Sequence, residues 1–122
     1  MPLDEESDHD SRSPLSSAVI CAMFGLFLSI PAILMAIASA GAGHGHYAAA
    51  RLLFPVPMLL TRLQDDTIGA LSMAVALLQF PIYGALVGWS ATREAWLPAA
   101  LIGLTHLLAA YFCFSGVLPN FS

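Results

Sequence analysis

Polar and apolar residues fall into long blocks along this chain. No charged side chain occurs from Leu15 to Ala40, and uncharged, mostly apolar runs return from Thr67 to Trp89 and from Trp96 to Val117. Each run matches or exceeds the roughly 20 residues with which a helix crosses the hydrocarbon core of a bilayer. The pattern predicts an all-α membrane protein with three transmembrane helices in a small bundle. It divides the chain into a disordered acidic tail at 1–13 and a first span at 14–40. A Gly/His loop and interfacial segment follows at 41–66, then a second span at 67–90, a short turn at 91–95, a third span at 96–117 and a tail at 118–122.

Small residues recur inside these runs at helical spacing. Ala18, Ala22, Gly25, Ser29, Ala32 and Ala36 are separated alternately by four and three positions, which puts all of them on one seam of the first helix. Such a seam lets another backbone approach closely, which is how membrane helices associate. The second span carries two small faces. Gly69, Ser72, Ala76 and Gln79 form one row, while Ala70, Ala74, Pro81, Gly84 and Gly88 lie roughly opposite. The Gly84/Gly88 face is expected to contact a second copy or a partner, and the first helix's seam is expected to pack on the Gln79 or His106 face. Ala99, Gly103, His106, Ala110 and Cys113 make a comparable row in the third span.

The stretch between the first two spans obeys neither pattern. Gly41 to Tyr47 holds three glycines that end the first helix. Beyond it, Arg51 and Arg62 bracket only ten uncharged residues, too few to cross a bilayer. Phe54-Pro55-Val56-Pro57 forces an extended step in the middle. The reading is two short helical pieces, interfacial or re-entrant, joined at that step, with both arginines snorkelling towards headgroups. Asp65, Asp66 and Thr67 are expected to cap the second span. Ser13-Pro14 reads as the cap and first residue of the first helix.

Composition adds the exclusions. Hydrophobic residues make up 58% of the chain and charged ones 10%, against about 25% charged in ordinary soluble domains. Most of the acid lies in the first ten residues, there is no lysine, and nothing basic is clustered enough to attract nucleic acid. The acidic start and the long apolar run argue against a cleaved signal peptide, although Ala38-Ser39-Ala40 resembles a cleavage site. Arginines divide evenly, Arg12 and Arg93 against Arg51 and Arg62, so the positive-inside rule assigns no orientation. The expected location is an integral, bacterial-type cytoplasmic membrane.

Candidate chemistry is sparse. Ser29, Gln79 and His106 each fall near the middle of their own span, so all three are placed near one plane and are expected to meet. A histidine at that depth marks a functional candidate, while hydrogen bonding between helices, worth on the order of 0.6 kcal/mol per bond in membranes, is the structural alternative. No Asp, Glu, Lys or Arg accompanies the three, which favours the structural role. His44 and His46 sit one residue apart in the glycine loop and, with Asp65 or Asp66, offer a weak set for Zn or Cu(II). Neither Cys21 nor Cys113 belongs to a metal-spacing motif. There is no GxSxG, no HExxH, no Walker-type loop and no carboxylate pair within the spans, so neither catalysis nor a cofactor is expected. The leading functional reading is an accessory, scaffolding or assembly subunit, partnered by the bilayer and by a homo-oligomer or a larger membrane protein. A second is an oligomeric transporter or channel unit using Gln79 and His106. A third is a metal- or haem-binding protein through His44, His46 and His106.

Overall fold

A computed structural model describes residues 13–41 and 47–118, and these residues form five α-helices and no strand. Helix α1 runs Pro14–Gly41, α2 Ala48–Leu53, α3 Pro55–Leu60, α4 Ala70–Thr92 and α5 Trp96–Phe114, with a 3₁₀ turn at Thr61–Leu63 after α3. Helices α1, α4 and α5 are long and apolar enough to cross a membrane. The chain is a small all-α bundle and a membrane protein. The acidic tail up to Arg12 and the His44/His46 loop lie outside the described residues.

Helix α1 begins where its cap dictates. The Ser13 hydroxyl accepts from the Ser16 backbone N–H at 3.2 Å and Pro14 fills the first helical position, where a missing N–H leaves nothing unpaired. Its buried residues are Gly25, Ser29 and Ala32, all on the small seam, while Phe24 and Phe27 are more than 70% exposed and face lipid.

Helix α4 is the centre of the bundle: α1 packs along it, α5 lies against another side, and α3 touches both α4 and α5. The α1–α4 joint brings backbone to backbone. A methyl group at Gly25 would run into the Phe80 carbonyl and sit 2.9 Å from the Pro81 nitrogen. One at Gly84 would overlap the Cys21 carbonyl, and one at Gly88 would sit 2.5 Å from the Ser17 carbonyl oxygen. Glycine Cα hydrogens therefore point at carbonyl oxygens of the other helix at three successive turns, a geometry suited to Cα–H···O contacts. This corrects one expectation and divides another. From Ser17 to Gly25 the α1 seam packs on the Gly84/Gly88 face, while farther along Ala32 clusters with Ala76 of the Gln79 row, and Gly84 and Gly88 are used within the chain instead of on a second copy. The reason is steric: only where both helices lack side chains can the axes come this close.

The short helices α2 and α3 fold back as a hairpin among the spans. Phe54 alone breaks them, with φ −127° and ψ 53°, and the expected extended step is absent: Pro55, Val56 and Pro57 form the first turn of α3, where a missing N–H is tolerated. The Phe54 ring meets Phe80 edge-on with centroids 5.4 Å apart and shares a buried cluster with Ala32 and Ala76. A second cluster joins Ala50 and Met58 of the hairpin to Cys113 and Leu118, so Leu118 belongs to the core and not to a free tail. Arg51 departs from the snorkelling expectation. It is buried, and its Nη1 donates to the Cys113 carbonyl at 3.4 Å. That carbonyl lies in the last turn of α5, where helix geometry leaves acceptors unpaired and the dipole is negative, so a guanidinium is held inside.

The return from α3 to α4 is also not the expected cap. Asp65 and Asp66 take left-handed backbone angles, which aspartate tolerates in turns. Helix α4 starts only at Ala70, with Gly69 as its N-cap and no side-chain cap bond. The loop is tied down instead by Gln64, whose Nε2 donates to the Ser72 hydroxyl at 2.5 Å. Asp66 pairs with Arg62 at 2.9 Å, both side chains about half exposed. Exposed i,i+4 pairs are worth about 0.3–0.5 kcal/mol. Arg62→Ala is accordingly expected to shift stability by less than about 0.5 kcal/mol in an unfolding titration, and a loss above 1 kcal/mol would contradict the assignment of this pair to the exposed surface. At the other end Trp89 carries the Arg93 guanidinium 5.3 Å from its ring, and α5 stops at Gly116, whose φ of 87° suits glycine at the position after a helix cap.

Candidate functional site

The chemistry at the middle of the bundle follows from the hairpin. An α-helical carbonyl is normally paired with the N–H four residues on. For Leu53 that residue is Pro57, which has no N–H, and for Leu52 the turn at Phe54 carries the next helix away. Two adjacent carbonyls are left without backbone donors, and in lipid each such group needs one. Gln79 and His106 take one each. Gln79 Nε2 donates to the Leu53 carbonyl at 2.8 Å from α4, and His106 Nε2 lies 3.0 Å from the Leu52 carbonyl from α5.

A carbonyl oxygen only accepts, so His106 Nε2 carries the proton. In the neutral ring Nδ1 is then the acceptor, and the Tyr83 hydroxyl 3.4 Å away donates to it. The rings of Tyr83 and His106 stand edge-to-face with centroids 5.8 Å apart. Phe80 continues the stack to Phe54 at the hairpin tip. The network thus runs from α4 through α5 to the end of α2, holding three elements at one point.

Of the three residues expected to meet, two converge on neighbouring carbonyls and one does not join them. Ser29 is fully buried, but its hydroxyl donates to the Gly25 carbonyl of its own helix at 3.0 Å. It points neither to lipid nor to Gln79 or His106. The physical reason is the seam: α1 faces the glycines of α4, and serine in a helix readily bonds back one turn. The seam positions Ala18, Ala22 and Ala36 are half-buried. In the α5 row, Ala110 and Cys113 are buried whereas Gly103 is exposed with open space around it.

Tyr83 and the carbonyls of Leu52 and Leu53 were not singled out from the sequence, and Arg51 was read only as facing headgroups. A signal for one of the two carbonyls was present: proline at position 57 removes the donor that Leu53 would otherwise use. Gln79 Oε1 is buried and has no hydrogen-bond partner among the described residues. No group of three or more His, Cys, Asp or Glu that could hold a metal occurs among the described residues, and the His44/His46 expectation falls outside them.

Comparison of the chain with protein-family models, with curated proteins and with solved structures returns no match.

Proposed function

We propose that this protein is an accessory or assembly subunit that acts through helix association and catalyses no reaction. One observation carries the reading: the donors of Gln79 and His106, the polar side chains on which the transporter alternative relies, are directed at main-chain carbonyls of the chain's own hairpin. A transporter built on these residues would need them turned towards a water-filled path. Here they complete the backbone hydrogen bonding of a broken helix, a structural task that any buried hairpin in lipid imposes. Helical spans suit a cytoplasmic-type membrane better than an outer membrane, whose residents are β-barrels.

A surface open to a partner is the outer side of α5. Its first half exposes Trp96, Leu97, Leu101 and Leu104, and Gly103 beside them has nothing within 4 Å of a would-be methyl group. A photo-crosslinking amino acid at Leu104, used in native membranes and followed by mass spectrometry, is expected to trap one larger membrane protein in stoichiometric yield. The same probe at Phe27 on the lipid face of α1 should trap none. Recovery of self-adducts alone, together with His106 accessible to aqueous reagents in the oligomer, would replace this reading with the transporter or channel unit.

A further inference from the structure

Beyond the polar cluster, the bundle holds a cavity of about 140 Å³ between α1, the hairpin and the first half of α4. Ile33, Ala36, Phe54, Pro57, Met73 and Ala76 are among its walls. Three hydroxyl residues line it, Tyr47, Thr61 and Ser72, yet the wall they help to form is apolar throughout; Thr61 Oγ1 donates to the Met58 carbonyl at 2.6 Å and Ser72 Oγ accepts from Gln64. A buried water needs two to four polar partners, and an apolar cavity of about 150 Å³ stays dry yet accepts a benzene-sized hydrocarbon. Water is therefore not the occupant. Nor is another helix, whose diameter with side chains is about 10 Å or more.

The shape and the mouth favour a hydrocarbon chain. The α1 wall runs from Ile33 to Ala40, a length of roughly 10 Å at 1.5 Å per residue, which is most of one leaflet of a core about 30 Å thick. Ile37, Ile68 and Met73 line the cavity while remaining at least half exposed, so its opening merges with the lipid-facing surface. The α1–α4 glycine contacts that would close the gap lie at Gly25, Gly84 and Gly88, beyond the cavity's floor. We infer that this cavity is a binding site for a single acyl chain of a membrane lipid, inserted laterally between α1 and α4 over the Phe54 tip of the hairpin. The site is independent of the partner reading above.

The test uses the full chain in bilayer nanodiscs containing a phospholipid with a diazirine at mid-chain of one acyl tail, irradiated and mapped by peptide mass spectrometry. Adducts are expected to concentrate on the segments carrying Ala36, Met58 and Met73. Ala36→Phe, which places a ring in the cavity, should lower that labelling at least fivefold, whereas Ala100→Phe on exposed α5 should leave it unchanged. Excess unlabelled straight-chain fatty acid should compete with the wild-type labelling, a readout that holds even where Ala36→Phe loses its helical circular dichroism. Labelling spread evenly over Phe27, Leu34 and Leu104, or no competition by the fatty acid, would overturn the inference. Adducts that instead link two copies through this cavity would also overturn it and make the cavity an interface.

Discussion

Gly84→Leu is expected to separate α1 from α4 and to lower the unfolding free energy by about 3 kcal/mol or more, the top of the range for overpacking a tight interior. The obstacle is the Cys21 carbonyl, which would overlap even a single methyl group at position 84. Main chain inside a helix cannot rotate aside as a side-chain tip can, so the helices must part. Parting them exposes the paired contacts at Gly25 and Gly88 as well. Gly103→Leu is the matched control, because nothing lies within 4 Å of a methyl group there. It should change stability by no more than about 0.5 kcal/mol, as surface substitutions do. Reversible unfolding in bicelles measures both, and equal stability of the two variants would refute the α1–α4 joint.

His106→Leu should cost on the order of 1 kcal/mol in the same measurement, since the half-buried ring makes two hydrogen bonds and such bonds between membrane helices average about 0.6 kcal/mol. It strips the donor from the Leu52 carbonyl and the acceptor from the Tyr83 hydroxyl. Gln79→Met, which keeps the volume, should cost less. It leaves the Leu53 carbonyl without its donor but also removes Oε1, a buried acceptor that itself has no partner, and the second effect offsets part of the first. The ordering of the two is the informative result, since membrane hydrogen bonds average only about 0.6 kcal/mol when each end can find another partner. His106→Gln retains a donor and is expected to recover part of the loss. Should Gln79→Met prove the more damaging, the hairpin would be anchored chiefly from α4 and the histidine would be peripheral.

These two expectations separate what could be read early from what could not. The seam of Ala18, Ala22, Gly25, Ser29, Ala32 and Ala36 is visible because small residues at alternating steps of four and three can only be one helix face. Its partner is not visible. Helix α4 has two small faces, and spacing alone cannot show that one seam meets both: the seam's first half lies against Gly84 and Gly88, where glycine against backbone permits close approach, and Ala32 farther along reaches Ala76. Likewise, the depth of Gln79 and His106 follows from counting residues, but their task does not. It depends on Leu52 and Leu53 arriving at the same depth, which required the segment after Tyr47 to fold back into the bundle.

Arg51 makes the same point in charge. Read along the chain, an arginine near the end of a short apolar run belongs at the headgroups. In the bundle it reaches the carbonyl end of α5, from a segment more than sixty positions earlier, as the 62-residue separation of Arg51 and Cys113 records. No local pattern encodes that meeting.

The sequence by itself determined the helical membrane class, the three spans, a break beside Pro55 and the packing seam of α1, since each follows from hydrophobic length, proline chemistry or helical period. Only the tertiary structure decided which faces meet, where the hairpin lies and what the midplane donors bind. Those outcomes depend on distances between elements remote in sequence, and in lipid they are selected by close packing and by the need of every buried carbonyl for a donor.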